Sequence, residues 1–489
     1  MVVLGVSLYL AMGMAYVLCG RLNTDEGWYL QAAREVRDGR LPYRDFAYSQ
    51  MPLAAYLHAT GGVLSGPGLR SGRWTSFAMG AAAVVIWIAA ARRRWGWEAA
   101  EVVALLAGTF AAGAYHHAIV KTYAPVSLLL ALAFDAMARE GGRPLVRGVQ
   151  AAFFAWAAAG TRLPAIGFAI PVALWAFRLQ GGVRGRLVVL SACALPVLSA
   201  SVPLLSDPPA ALWHVLGQHG DTAAGGGTIR GILLHRVPGI VRAYPVHLFL
   251  AIGASCALRL SWRGAWGRND PMAAYASGLA LFTLATLPAL PRIEEHLVPV
   301  LFALLPLLAG AYVSLSRGAS FLRPLLAASA VVVPLSGGWG FLDRSGARTP
   351  LEEVSDAASR VRNLTARGDE ILALEALVVA VEAERPVPPG LSMGPFSYQD
   401  VVDADAVRRH VVNRVGFLDL LRSRRPKAVL LTGQDWRLLE RQGVSSVRAA
   451  EAGEVRAVLD EGYVEAFSMD AFGQFSTRLT GYVRRQGLR

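Results

Sequence analysis

Residues 23–57 read NTDEGWYLQAAREVRDGRLPYRDFAYSQMPLAAYL and follow directly on an apolar block at 2–20. Asn23 with Glu26 three residues later is a helix-start signature. Tyr29, Ala32, Ala33 and Val36 then share one face, with Gln31, Arg34, Glu35 and Asp38 opposite. Gly39 can end the helix, and Pro42 prevents its return. The spacing predicts a short amphipathic helix lying at the outer membrane surface, with Trp28 and Tyr29 as interfacial aromatics. A second short apolar segment, 52–64, is interrupted by His58 and the Gly61-Gly62 pair.

Outward from this loop the chain reads as membrane. Of 489 residues, 54% are hydrophobic and 17% charged, short of the charge of a soluble domain. Apolar blocks near the length of a membrane-spanning helix fall at about 2–20, 73–91, 98–116, 122–138, 148–161, 163–178, 187–205, 244–260, 271–289, 296–315 and 323–342. The pair 148–178 is expected to break at Gly160-Thr161-Arg162-Leu163-Pro164. Cys19, Cys193 and Cys256 all lie in apolar blocks without metal spacing and read as packing residues.

A net charge of +13 and a pI near 10.1 could suggest a nucleic-acid partner. The positions of the arginines argue otherwise. With the N-terminus cytoplasmic, Arg92-Arg93-Arg94, Arg139/Arg143/Arg147, Arg178/Arg184/Arg186, Arg259/Arg263/Arg268 and Arg317/Arg323 fall in short loops on one side, the bias of cytoplasmic loops. Residues 343–489 then lie outside the cytoplasm. There the composition turns polar, with strand-like runs (371–374, 428–431) between helical ones (352–362, 451–459), as in a small α/β domain.

Few ionisable groups remain at the outer surface. Asp25 and Glu26 fall in the first turn of the predicted helix, where the dipole favours ionised carboxylates. An acid there could take a proton from an attacking hydroxyl or amine. The plainer reading, that both merely cap the helix, stays open on spacing alone. Three other outer turns carry candidate phosphate ligands: His116-His117 with Lys121, Thr161-Arg162, and Arg292 with Glu294-Glu295-His296. A basic side chain snorkelling to water is the ordinary alternative for each. Loop 206–243, with Gly225-Gly226-Gly227, has the length and glycine content of a covering loop or of a plain connection.

The run Asp25, Glu26, Tyr29, Ala33, Arg34, Glu35, continued by Asp38-Gly39, Arg40-Leu41-Pro42-Tyr43 and Met51-Pro52-Leu53-Ala54-Ala55-Tyr56, resembles the first external loop of the GT-C glycosyltransferase superfamily. Within it the chain is most similar to the branch containing protein O-mannosyltransferases and the lipid A aminoarabinose transferase. The resemblance is detailed over 21–95 and diffuse to about 315. It implies transfer of a sugar from a polyprenyl-phosphate carrier on the non-cytoplasmic side, with Asp25 as the essential acid. It also implies donor contacts at Arg162 and Arg292 and an external covering loop at 206–243. The chain departs from the aminoarabinose enzymes in having Gln50-Met51-Pro52 for Glu-Lys-Pro, Tyr123-Ala124-Pro125 for Leu-Asp-Pro, and Gly160-Thr161-Arg162 for Thr-Lys-Gly.

The expectation is therefore a polytopic α-helical membrane protein of the GT-C type with about eleven spans. Residues 1–342 form its membrane part, with the first outer loop at 21–72, and residues 343–489 its extracytoplasmic α/β domain. The function expected is an integral-membrane glycosyltransferase of the cell envelope. Asp25 and Glu26 are its catalytic candidates, and Lys121, Arg162, Arg292, His296 and Tyr29 its donor-binding candidates. Its partners are a polyprenyl-phosphate-linked sugar, a lipid, glycan or protein acceptor, and membrane lipid, without nucleic acid. No cofactor is required by the sequence, although Asp25 with Glu294 leaves room for a divalent metal. The competing classes are a transporter of lipid-linked sugars, which would more often carry mid-span charge or repeated halves, and a non-catalytic scaffold.

Overall fold

The computed structural model describes residues 1–218, 271–286, 293–316, 338–343, 348–441 and 445–485. The expected spans at 244–260 and 323–342, most of loop 206–243, and Arg292 lie largely or wholly outside them. The described part of the membrane sequence is helical: α1 (Val2–Cys19), α2 (Thr24–Arg37), α3 (Leu53–Ser65), α4 (Leu69–Trp95), α5 (Trp97–Thr109), α6 (Ala111–Ala118), α7 (Tyr123–Ala138), α8 (Pro144–Thr161), α9 (Ile166–Arg178), α10 (Val183–Ser206), α11 (Pro208–Leu212), α12 (Pro271–Thr286) and α13 (Ile293–Ser316). Among the described residues α1, α4, α10 and the stretch Glu295–Val313 are long and apolar enough to cross a membrane. The pair α5 and α6 makes a fifth if counted as one span. This is a multi-pass membrane protein.

The chain divides into two compact units. One comprises Met1–Val17, Ser76–Val202 and Leu216–Phe341, the other Leu18–Thr75, Pro203–Val215 and Leu342–Arg489. In the first unit the expected break after α8 is present: Arg162 turns extended (φ −150°, ψ 116°), and Pro164 lies in a short 3-10 turn before α9. The expected single span at 98–116 is instead bent by 72° between α5 and α6. No proline causes this. Phe110 leaves helical geometry (ψ 72°) and buries its ring 5.0 Å from that of Phe302, while Thr109 returns its hydroxyl to the Leu106 carbonyl. His117 is paired on both ring nitrogens. The Tyr9 hydroxyl lies 2.8 Å from His117 Nδ1 and Ser127 Oγ 2.9 Å from its Nε2, with Phe302 stacked on the ring.

In the second unit, α2 starts where the sequence places it. Asn23 and Glu26 form a full capping box, and Gly39, at φ 83°, follows the end of the helix. Its expected setting is overturned, however. Gln31 and Glu35, assigned to a solvated face, are buried, as are Trp28 and Tyr29. Residues far along the chain cover them: α15 (Leu377–Glu382) comes so close that a Cβ on Gly27 would stand 2.8 Å from the Val378 nitrogen. Gln31 Nε2 donates to Glu35 Oε1 at 2.7 Å, and Arg34 donates to the Arg385 carbonyl at 2.8 Å. A helix that periodicity would float on a membrane is in fact a core element.

The C-terminal residues add α14 (Pro350–Leu364), then strands β1 (Ile371–Ala373) and β2 (Ala428–Thr432), paired in parallel. Between and after them lie α16 (Asp403–Arg408), α17 (Arg414–Arg422), α18 (Gly433–Arg441) and α19 (Ser445–Gly462). The hairpin β3 (Tyr463–Phe472) and β4 (Thr477–Arg484) completes a sheet of order β1-β2-β4-β3. Leu372, Leu374, Val429, Leu431, Phe417, Leu421, Leu459 and Tyr463 form its core.

At the carboxyl ends of the two parallel strands, Glu375 and Asp435 are buried together. Asp435 accepts from the backbone N–H groups of Glu375 and Thr432, and the Thr432 hydroxyl donates to Glu375 Oε2 at 2.5 Å. Burial and the adjacent Asp435 push Glu375 up to about 7; burial raises Asp435 to about 6 against the pull of its hydrogen bonds. Both acids hold protons more tightly folded than unfolded. Their stabilisation is therefore full below about pH 4 and is lost as the pH climbs through 6 to 7. In melting curves of the full-length protein in detergent, Glu375→Gln is expected to remove about 1–3 kcal/mol of the loss of stability between mildly acid and mildly alkaline pH. An unchanged pH slope in that variant would contradict the assignment.

Candidate functional site

The sequence-derived residues form two groups, one in each unit. The acids sit on the first turn of α2, and the structure separates them sharply. Glu26 is 0% exposed, and both its oxygens are occupied. Arg73, also 0% exposed, reaches from α4 to donate Nε to Glu26 Oε1 and Nη2 to Oε2, each at 2.8 Å. The backbone N–H of Asn23 takes Oε2 as well, at 3.0 Å. Arg73 further donates to the carbonyls of Gly20 and Arg21, at 3.0 and 3.2 Å. Those carbonyls follow α1, so one guanidinium joins the end of α1, the start of α2 and the start of α4. The sequence signal for Arg73 was present but unread: a charge in a long apolar helix.

Asp25 is different. Its backbone N–H is capped by Asn23 Oδ1 at 3.1 Å, and its carboxylate, half-buried, accepts from Trp28 Nε1 at 3.2 Å. Of the two acids, Asp25 is the one that keeps access to solvent. Trp28 is held in turn by stacking on Tyr29, with ring centres 3.8 Å apart. Tyr29 is buried against Tyr48 and His58, inside this unit.

The second group lies in the other unit and gathers three of the predicted donor ligands. Lys121 Nζ donates to Glu295 Oε2 at 2.6 Å. Arg162 donates through Nη1 to Thr122 Oγ1 at 3.0 Å and through Nη2 to His296 Nδ1 at 2.5 Å. The Tyr123 hydroxyl stands 3.3 Å from Glu295 Oε2 and 3.4 Å from His296 Nδ1. Both cations lie over the Tyr123 ring, Arg162 at 5.0 Å and Lys121 at 5.5 Å from its centre. Lys121 and Arg162 are 3% and 5% exposed, so neither snorkels to water. Arg162 Nε has no acceptor among the described residues, an unspent donor in a buried, cationic place. His116 stands edge-on to Tyr123, completing the wall. Arg292 lies outside the described residues. No group of three His, Cys, Asp or Glu placed to hold a metal ion occurs among the described residues.

No family model matches the sequence, and no curated protein does. Solved structures do match. ArnT from Cupriavidus metallidurans, bound to undecaprenyl phosphate, aligns with a TM-score of 0.60 at 13% identity, over 98% of this chain and 97% of that one. This chain has the ArnT fold. The Archaeoglobus fulgidus oligosaccharyltransferase in complex with Zn and sulfate is more distant, with a TM-score of 0.44 at 14% identity, over 98% of this chain and 73% of that one. The ArnT fold extends across both units of this chain, including the sheet near the C-terminus.

Arg73→Met should show what the buried pair does. Leaving Glu26 ionised and sealed without its partner costs about 3–5 kcal/mol. The variant is expected to melt lower in detergent, and the double change Arg73→Met with Glu26→Gln should recover a large part of the loss. A single variant with wild-type melting would mean that the pair is not holding α2.

Proposed function

We propose that this chain is an integral-membrane glycosyltransferase that takes a sugar from a polyprenyl-phosphate carrier. The observation that carries this reading is the convergence of Lys121, Arg162 and His296, from three separate turns, on one buried cluster with an unspent guanidinium N–H. The ArnT fold supports the kind of donor, since the ArnT structure holds undecaprenyl phosphate.

In the reaction proposed, an acceptor hydroxyl or amine gives its proton to the Asp25 carboxylate as its lone pair attacks the anomeric carbon. The bond from that carbon to the phosphate oxygen breaks, and the electron pair leaves on the carrier phosphate. Arg162 and Lys121 offset the charge that develops there, with Arg292 as a third cation. A single displacement inverts the anomeric centre. Glu26 holds the helix through Arg73, and Tyr29 supports the Trp28 indole that orients Asp25. The acceptor is a lipid, glycan or protein on the non-cytoplasmic face, with the N-terminus cytoplasmic and residues 343–489 outside.

Mass analysis of glycolipids and surface glycans from a strain lacking the chain tests this directly: one sugar at one acceptor should disappear. Restoring the wild-type chain should return it. Asp25→Asn should lower the rate of its formation by about 10²–10⁴-fold with normal membrane levels of the protein, and Arg162→Ala by about 10²-fold. Unchanged transfer by Asp25→Asn removes that residue from the mechanism. Carrier movement across the membrane that persists without any transfer supports the transporter reading instead.

A further inference from the structure

The mechanism above leaves one conspicuous contact of α2 unused. Its first amide, that of Thr24, has no partner within the helix, as is true of every helix start. The side chain of Gln474 fills that role, accepting from the Thr24 N–H at 3.0 Å. Gln474 lies 450 residues away in sequence, in the turn Gly473–Ser476 between β3 and β4.

That turn is built to hold one geometry. Ser476 donates its N–H to the Gly473 carbonyl at 3.2 Å. Gly473 has φ 77°, and a Cβ there would stand 2.6 Å from Glu375 Oε1, so only glycine admits the carboxyl beneath it. Glu375 is itself fixed by Thr432, whose hydroxyl donates to it, at the ends of the parallel strands. The sheet thus supports the turn, and the turn presents a carbonyl oxygen to the amide next to Asp25.

We propose that Gln474 is a positioning residue for Asp25, acting by occupying the Thr24 N–H so that the neighbouring carboxylate is not drawn in to cap it. This rests on the reading of Asp25 as the proton acceptor. A carboxylate at the second position of a helix is a ready partner for an empty first-turn amide. Once engaged there, it is turned away from an acceptor. Gln474 occupies that amide first and leaves Asp25 to Trp28 and to chemistry. The C-terminal sheet is then part of the catalytic apparatus through one hydrogen bond, without touching substrate.

The test uses the full-length chain in membranes with their own polyprenyl-phosphate sugars, following product formation by mass analysis. Deuterium uptake of the purified protein in detergent is measured in parallel. Gln474→Ala is expected to speed exchange in peptides covering 24–30 and to lower the transfer rate about tenfold, with acceptor dependence unchanged. Gln474→Glu keeps the accepting oxygen. It should restore both slow exchange and rate, and should move the acidic limb of the rate profile upward by about half a pH unit, because a second carboxylate disfavours ionisation of Asp25. Wild-type exchange at 24–30 in Gln474→Ala would overturn the hydrogen bond, and faster exchange with a wild-type rate would overturn the positioning role. If Gln474→Ala loosens the whole sheet, Gln474→Glu decides: an unmoved acidic limb sinks the inference. Asp25→Asn is assayed alongside. Transfer at the wild-type rate there brings down the reading of Asp25 itself, whereas a strongly slowed Asp25→Asn beside unmoved Gln474 variants rejects only the role of Gln474.

Discussion

The bidentate pair between Glu26 and Arg73 is the constraint on which the acidic end of this protein depends. Neither side chain reaches water, and the remaining donors of Arg73 go to Gly20 and Arg21 carbonyls. Burying two charges is costly, and such pairs frequently add little net stability compared with an apolar replacement. What this one provides is geometry. It ties the start of α2 to the Gly20 and Arg21 carbonyls, and so fixes the place where Asp25 meets solvent. Two adjacent acids thereby acquire unlike duties: one is consumed in holding the helix, and its neighbour stays half-exposed.

The cation cluster follows a similar logic with the opposite charge. Lys121 and Arg162 are kept dry by pairing with Glu295, His296 and Thr122 and by lying over Tyr123. Among the described residues Arg162 Nε is left without an acceptor. Such a place suits a phosphate, which brings several acceptor oxygens and negative charge together. The Glu295 carboxylate holds the lysine in position, while Arg162 is held by Thr122 and His296.

Much of the fold was legible because it is local. Apolar runs of the right length gave α1, α4, α10 and α13, the capping box gave the start of α2, and Pro164 gave the break after α8. Two features escaped. The bend at Phe110 has no proline or capping signal and arises from burial of one ring on Phe302, a partner far along the chain. The β3–β4 hairpin was hidden because register shifts near Glu465–Phe467 and Met469–Phe472 spoil its alternation. Amphipathic periodicity in α2 was real, yet it misplaced the helix, since the polar face with Gln31 and Glu35 is covered by residues beyond 370.

The sequence by itself determined that this is a membrane protein sparing with charge, and it marked Asp25, Lys121, Arg162 and His296 among the few ionisable residues at the ends of its apolar blocks. Hydropathy, helix capping and charge placement act between near neighbours, so they can be read along the chain. Only the tertiary structure decided which acid is sealed, which cations converge and what caps α2. Those outcomes depend on partners 47, 174 and 450 residues away. A buried charge or a helix-end amide must find a partner once water is excluded, but spacing does not say which one. The folded chain supplies it by bringing Arg73 to Glu26, Glu295 to Lys121, and Gln474 to Thr24.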